Sequence, residues 1–403
     1  MAAFDGVVVV GSGPTGLSAA LALAQRNVPV LVLEALDGLS DASRASTFHP
    51  PTLELLDFLG VYRELATIGL RVDTFQFRSR KDGLLAELCL DLLDGRTKFP
   101  FRLQCEQSKL TPILLAHLEQ TSIGSIRFGH EVRGVRNSDG DVVVDAVVDG
   151  SPITIEAPYV VGADGAGSAV RQSLGLDFDG MTYPERFLVV TTAFPFEEAL
   201  PDISPVNYVA DADEWLVLLR IPGAWRVLFP IGPHEEVDAD RADVLISERL
   251  GGVIPAAAAE PVVEWSIYNV HQRVASTFRE GRVLLAGDAA HVNSPIGGMG
   301  MNSGIHDAFM LADRLASVWQ GRDPAVLLDD YAQERRRFAL DYVQVATDRN
   351  TRNLALTEPE AIAAYRAEIA ELGKDPSRAE RYLVESSMLD GARSLVDELI
   401  GGR

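Results

Sequence analysis

The feature that most narrows the choice of fold is the segment from Val7 to Glu34. A run of valines, Val7–Val10, leads into Gly11-Ser12-Gly13-Pro14-Thr15-Gly16, and a second apolar run, Val28–Leu33, ends at Glu34. A continuous β-branched run suits a parallel strand covered on both faces. Between the two runs, Leu17, Ala20, Leu21 and Ala24 recur at helical spacing with a small, close-packing face. Strand, glycine turn, helix, strand and terminal acid make up a βαβ dinucleotide site. Its first glycine permits the tight turn, its second lets a pyrophosphate approach the backbone, and its third lets helix and strand pack closely. The helix start offers free N–H groups and a positive dipole end to an anion. Glu34, followed by Ala35, stands where an acid would meet a ribose hydroxyl. A glycine turn in an α/β chain that binds no nucleotide is the alternative.

Two further glycine segments follow buried strands. Gly162-Ala163-Asp164-Gly165 comes after Val160–Val161 and leads to Ser168, Val170 and Arg171. An ordinary turn with a cap explains Asp164-Gly165 equally well. The longer segment, GDAAHVNSPIGGMGMNSGIHDA, runs from Gly287 to Ala308 after Val283–Ala286. Asp288 suits a bond to a polyol hydroxyl, and the helix beginning near Gly300–Asn302 can aim its positive end at a developing anion. A structural loop capped by Asp288 is the competing reading.

The rest of the chain predicts an α/β frame with an inserted sheet. Thr74–Arg78 and Leu84–Leu90 read as strands, and Leu110, Leu114 and Leu118 as a helix. A small meander covers Val132–Val135, Val142–Val147 and Ile153–Ile155. From Met181 to Asn269 the pattern is β-rich and aromatic, with Pro222-Gly223 turning a hairpin. Ile362, Tyr365, Ile369 and Leu372 form a helical stripe in the tail, suited to the core or to an interface. The expected division is a discontinuous nucleotide-binding domain (1–72, 100–180 and 270–345), a β-rich substrate domain (73–99 and 181–269) and a helical region (346–403).

Composition excludes several classes. Formal charge is −22, with 36 basic against 58 acidic residues, which repels nucleic acid and anionic membranes. Two cysteines and no CxxC remove redox-dithiol flavoenzymes and a disulfide framework. Histidine spacing suggests no metal. No apolar run approaches the ~20 residues of a membrane span, and the N-terminus lacks a signal-peptide pattern, so a cytoplasmic protein is expected.

Taken together, the three motifs resemble the aromatic-hydroxylase family of FAD-dependent monooxygenases, with the para-hydroxybenzoate hydroxylase fold, over roughly residues 5 to 345. Gly287, Asp288, His291, Pro295, Gly298, Gly300 and Asn302 match that family's third segment, and Asp164-Gly165 its DG fingerprint. Ser43-Arg44-Ala45 resembles the Arg-Ala element at the mobile flavin, and Gln107 the helix-start glutamine at the ribityl chain. The resemblance also assigns cofactor contacts to Pro14, Thr15, Ala35, Val132 and Met301. It implies a Rossmann-like FAD domain of the glutathione-reductase type, non-covalent FAD, and NADH or NADPH as co-substrate. Reduced flavin would react with O2 to a hydroperoxide that hydroxylates a small electron-rich ring of the phenol, hydroxybenzoate or hydroxypyridine type. Water must be kept out of such a site. A homodimer is a family expectation. A hydroxylase or epoxidase acting on a larger polycyclic compound is the alternative, and a non-catalytic flavin sensor is disfavoured by the intact glycine loop. A chain ending near residue 403 resembles the shorter class, without a thioredoxin-like domain, and no WxWxIP halogenase element occurs.

Arg44, His49, Tyr208, Arg220 and Pro295 are the candidates for catalysis. Arg44 and Asp164 are expected to assist exchange with the nicotinamide cofactor. His49 could accept a proton, or be an ordinary packed histidine. Strand alternation puts Arg220 on one face with Leu216 and Leu218, where it either holds a substrate anion or lies on a solvated surface. His291 is expected to be structural.

Overall fold

The computed structural model describes residues 2–42, 45–200, 202–211, 214–233, 235, 237 and 239–400. The valine run forms the centre of a six-stranded sheet ordered 279–280, 283–285, 159–162, 7–10, 30–33 and 124–127. All neighbours are parallel except the Arg279–Glu280 edge, and Val7 stands level with Val30 on one side and Tyr159 on the other. Val7–Val10, Val30–Leu33, Tyr159–Gly162 and Val283–Leu285 are buried throughout, as strands covered on both faces must be. The helices Pro14–Gln25, Gln107–Glu119 and Met299–Trp319 share one core with this sheet and with the meander Glu131–Asn137, Val142–Val148 and Ser151–Ala157.

The second large element is an eight-stranded sheet ordered 291–292, 262–275, 178–192, 224–231, 216–221, 206–209, 74–79 and 83–89. Its long strands Phe178–Thr192 and Val262–Ala275 reach past the expected limits of the β-rich segment. Its edge strand, His291–Val292, comes from the glycine-rich third motif. The third motif and the sheet are therefore joined by backbone hydrogen bonds.

Alternation gives this sheet two apolar faces. Leu216, Leu218, Trp225, Val227 and Phe229 pack beneath the helix Ala239–Val253 with Ile246 and Leu250. Val217, Leu228 and Phe187 face the other way, toward Ile296 and Leu354.

After Trp319 the chain is helical, with segments Pro324–Phe338, Val345–Leu354, Pro359–Leu372, Pro376–Ser386 and Leu389–Ile400 and a π-helical stretch at Ala339–Gln344. Ile369, Leu372, Leu383 and Val384 pack on Phe75 and Phe77 of the large sheet, while Leu395 and Val396 join the main core. The tail's apolar stripes thus serve the core. No helix among the described residues is long and apolar enough to cross a membrane.

Candidate active site

The first motif closes as its glycines require. Gly11 has φ +101°, a left-handed conformation open to glycine. A Cβ on Gly16 would stand 2.0 Å from the Gly11 carbonyl oxygen, so helix and turn could not meet there. Gly13, at the N-cap of Pro14–Gln25, is exposed, and a Cβ on it would meet nothing within 4 Å. That open helix start fits the pyrophosphate of a dinucleotide. Glu34 Oε2 accepts from the backbone N–H (2.8 Å) and hydroxyl (2.7 Å) of Ser12, and Oε1 accepts from the Leu36 N–H. The acid at the strand end therefore braces the turn beside it and keeps lone pairs for a ribose hydroxyl. Ala35 is exposed next to it, and Val132 is buried in the adjoining meander.

The third motif lies across the same opening. Within residues 283–302, Asp288 and Pro295 are the exposed positions. Gly287 and Gly304 close on Thr15, where a Cβ on either would stand 2.6 or 2.4 Å from its hydroxyl oxygen. This brings the first motif, the third motif and the helix Met299–Trp319 to one point.

Beneath the loop sits a buried cluster that sequence reasoning missed. Asp307 Oδ2 accepts from the Gly287 N–H (3.0 Å) and bonds His291 Nε2 (2.8 Å), while Oδ1 accepts from Arg335 Nε (2.6 Å). Burial raises the Asp307 carboxyl, but Arg335 and His291 outweigh it and hold the group at about 2. His291 also stacks on Phe278 at 5.7 Å. It props the loop from below. The sequence signal was the acid in Gly304-Ile305-His306-Asp307, hidden because helical spacing gave no hint of its partner Arg335.

Asn302 joins the loop to a distant segment. Its Oδ1 accepts from the His49 N–H (2.9 Å), and its Nδ2 donates to the carbonyls of Thr47 (2.8 Å) and Gly298 (2.6 Å). This side chain is wholly buried, and its three bonds clasp the loop to the segment around His49. His49 is also wholly buried, with Nε2 bonded to the Gly297 carbonyl oxygen at 2.9 Å. Burial and the nearby Arg102 push its pKa well below the usual imidazole range. The imidazole is therefore neutral and a weak base, with Nε2–H held by the loop and Nδ1 buried without a partner. Gly300 and Met301 are half-buried at the start of the same helix.

Three cofactor candidates remain: Gln107, Arg44 and Asp164. Gln107 begins the helix Gln107–Glu119 and is tied to Ala45 through its N–H (2.9 Å) and, more loosely, its side-chain oxygen (3.4 Å). Arg44 lies outside the described residues. Asp164 Oδ2 accepts from the Val170 N–H, while Oδ1 is buried without a partner, and burial raises the carboxyl's pKa. Arg171 links the DG turn to the third motif, donating to the carbonyls of Ala289 (2.8 Å) and Ala166 (2.7 Å).

A cavity of about 390 Å³ adjoins Ile296 and Gly297. Phe75, Phe77 and Tyr208 of the large sheet form one wall, and Tyr365, Ile369 and Tyr382 of the tail form the other. Tyr208 stacks on Phe77 at 5.6 Å. Arg220 is not there. It lies on the opposite face of the sheet, ion-paired to Glu197 at 2.7 Å and 6.0 Å from the Trp225 ring. Alternation grouped it correctly with Leu216 and Leu218, but that face packs beneath the helix Ala239–Val253. Arg102 and the tail tyrosines take its place in the cavity wall.

The open helix start and the glycine loop meet at Thr15, the same loop lines the cavity through Ile296 and Gly297, and residues 6–346 match the family model described as the FAD binding domain. The chain belongs to the FAD-dependent aromatic hydroxylases. It is 33% identical over 406 residues to para-nitrophenol 4-monooxygenase of Pseudomonas sp. (strain WBC-3), covering 99% of each chain. It is also 33% identical to 6-hydroxy-3-succinoylpyridine 3-monooxygenase of Pseudomonas putida (strain DSM 28022 / S16), over 88% of this chain and 90% of that one. The crystal structure of p-nitrophenol 4-monooxygenase from Pseudomonas putida DLL-E4 superposes with a TM-score of 0.91 at 32% identity, covering 97% of this chain and 99% of that one. This hydroxylase is therefore an FAD-dependent monooxygenase of the single-component class, built on the α/β fold expected from its sequence.

Proposed function

We propose that this hydroxylase acts on a single-ring phenol, of the nitrophenol or hydroxypyridine type, held in the cavity beside Ile296 and Gly297. The cavity carries the reading. Its volume lies toward the lower end of the ~300–1,000 Å³ range of ligand sites. The relatives matched over nearly their whole length are named for small rings, which supports the same substrate class.

The residues present fit FAD. Gly11–Gly16 would receive the pyrophosphate and Glu34 the adenine-side ribose. Asp288 and Gln107 would bind along the polyol chain, and Pro295 to Met301 would border the ring. When bound, FAD supplies the redox and oxygen-activating chemistry, with NADH or NADPH as reductant. The protein supplies position and exclusion of water. Phe75, Phe77, Ile296, Leu354, Ile369 and Leu372 give the cavity apolar walls. Tyr365 and Tyr382, whose pKa values are pushed up by burial, stay protonated and offer O–H donors to a ring oxygen. The Asn302 and His49 contacts fix the loop, so that the substrate meets a rigid wall. Asp164 and the segment around Arg44 are our candidates for contact with the nicotinamide cofactor. Free Cys89 and Cys105 suit a reducing cytoplasm.

The test is a panel of phenols, hydroxybenzoates, hydroxypyridines and polycyclic phenols, assayed with the holoenzyme for stimulated NAD(P)H oxidation and for oxygenated product. A single-ring phenol should do both. Turnover confined to polycyclic compounds would refute the proposal.

A further inference from the structure

Arg102 is an exception among the buried arginines of the described residues. It opens the strand Arg102–Gln104, is 2% exposed, and lines the cavity. Its guanidinium lies 4.4 Å from the centre of the Phe75 ring. Its Nε is buried without a partner, and among the described residues its side chain forms no hydrogen bond or ion pair. The other buried arginines each have a carboxylate or carbonyl partner: Arg335 pairs with Asp307, Arg314 with Glu398 and Arg226 with Glu264, and Arg171 bonds two carbonyls. An arginine does not neutralise itself by losing its proton, so a buried one without an anion costs several kcal/mol. The ring of Phe75 offsets part of this, roughly 2 kcal/mol for a desolvated cation–π contact.

The cavity's charge is a second, independent observation. Arg102, Arg349, Arg378 and Arg381 line it against Glu368 and Glu385, a formal balance of four positive and two negative side chains. Arg349 is already paired with Glu385 at 2.8 Å. Arg378 and Arg381 are exposed, one turn apart on the helix Pro376–Ser386 at the rim. A positive pocket in a chain of net charge −22 concentrates anions against the field of the rest of the surface. His49 beside Arg102 is kept neutral, so it neither repels the guanidinium nor competes for an anion.

We propose that Arg102 is the anion anchor of the cavity, and that the substrate binds there as an aromatic oxyanion whose charged oxygen sits on its guanidinium. This rests on the cavity being the substrate site. A ring carboxylate and a phenolate offer the same chemistry to Arg102, and the test separates them. Dissociation constants would be measured with the holoenzyme, from the change in flavin absorbance, for two pairs of near-isosteres. One pair is para-hydroxybenzoate and para-hydroxybenzamide. The other is para-nitrophenolate and para-nitroaniline, at a pH where the phenol is ionised.

The wild-type protein should prefer the anion of at least one pair by about tenfold or more. Arg102→Gln should weaken that anion by about 30-fold or more, in keeping with loss of one partner of a buried charge pair. It should leave the neutral member within about threefold, while Arg102→Lys recovers part of the preference. Preference in the first pair identifies a carboxylate, and in the second a phenolate. Equal binding of anion and neutral probe by the wild-type protein overturns the anchor and leaves the hydroxylase reading standing. So does a preference that survives in Arg102→Gln. If no aromatic compound, charged or neutral, perturbs the flavin or stimulates NAD(P)H oxidation, both readings fall. The wild-type comparison decides the matter even where Arg102→Gln does not fold.

Discussion

Asp307→Asn tests the buried support of the cofactor loop. Asp307 has two oxygens facing three donors: the Gly287 N–H, His291 and Arg335. Asparagine keeps the shape but offers one acceptor and adds an NH2 group. Turned toward Arg335, that NH2 opposes a cation. Turned the other way, it opposes the Gly287 N–H, and only a change of tautomer would let His291 accept from it. Removing one partner of a buried pair costs about 3–5 kcal/mol. The carboxyl's shift from its ordinary 3.8 to about 2 gives an independent figure, ~2.5 kcal/mol for the charge alone at roughly 1.4 kcal/mol per pKa unit.

For 403 residues an unfolding entropy near 0.8 kcal/mol/K turns about 3–5 kcal/mol into a Tm loss of about 4–6 °C. Because the folded pKa lies below the unfolded one, this stabilisation is present above about pH 4 and disappears as pH falls through about 2. The assay is urea unfolding and thermal melting of wild type and variant from neutral to acid pH, with flavin content after gel filtration. The stability gap should hold at neutral pH and close in acid, and the variant should retain less FAD because the Gly287 turn is loosened. A Tm within 1 °C of wild type at neutral pH, or a gap unaltered on acidification, would refute the reasoning.

Two further outcomes are expected. Asp288→Ala, at an exposed position of the third motif, should yield folded protein that has lost most of its flavin; normal flavin occupancy on purification would remove Asp288 from the site. Gly16→Ala places a carbon where 2.0 Å separates it from the Gly11 carbonyl, so it should give insoluble protein or a flavin-free product, and near-normal flavin content would show that the turn can shift.

The frame was legible because each nucleotide-binding element carries a local signature. Val7–Val10, the glycine turn and Glu34 lie within a short stretch of sequence and constrain one another. Elements whose meaning depends on distant partners were not legible. Arg102 sits in the short strand Arg-Leu-Gln, where nothing local separates a buried cation from a surface one. Alternation assigned Arg220 to the right side of its strand, but periodicity cannot say which side faces a site when both are apolar. His49 read as a lone histidine because its partners, Gly297 and Asn302, are about 250 residues away. His291–Val292 lies inside a glycine-rich run, and two residues carry no period to betray an edge strand. The tail's stripe showed a buried helix but not which surface received it.

The placement of Tyr365, Tyr382 and Arg381 means that the end of the chain is part of the cavity. Filling that cavity and docking those helices are linked equilibria. A ligand that binds only the docked form raises the free energy of lifting the tail by RT ln(1 + [L]/Kd), about 2.7 kcal/mol at a hundredfold excess over Kd. Amide exchange and proteolysis in Pro359–Ser386 should therefore slow in proportion to occupancy, even though the bound ring is small. Those helices are also where a change of preferred ring can arise while the FAD frame is left intact.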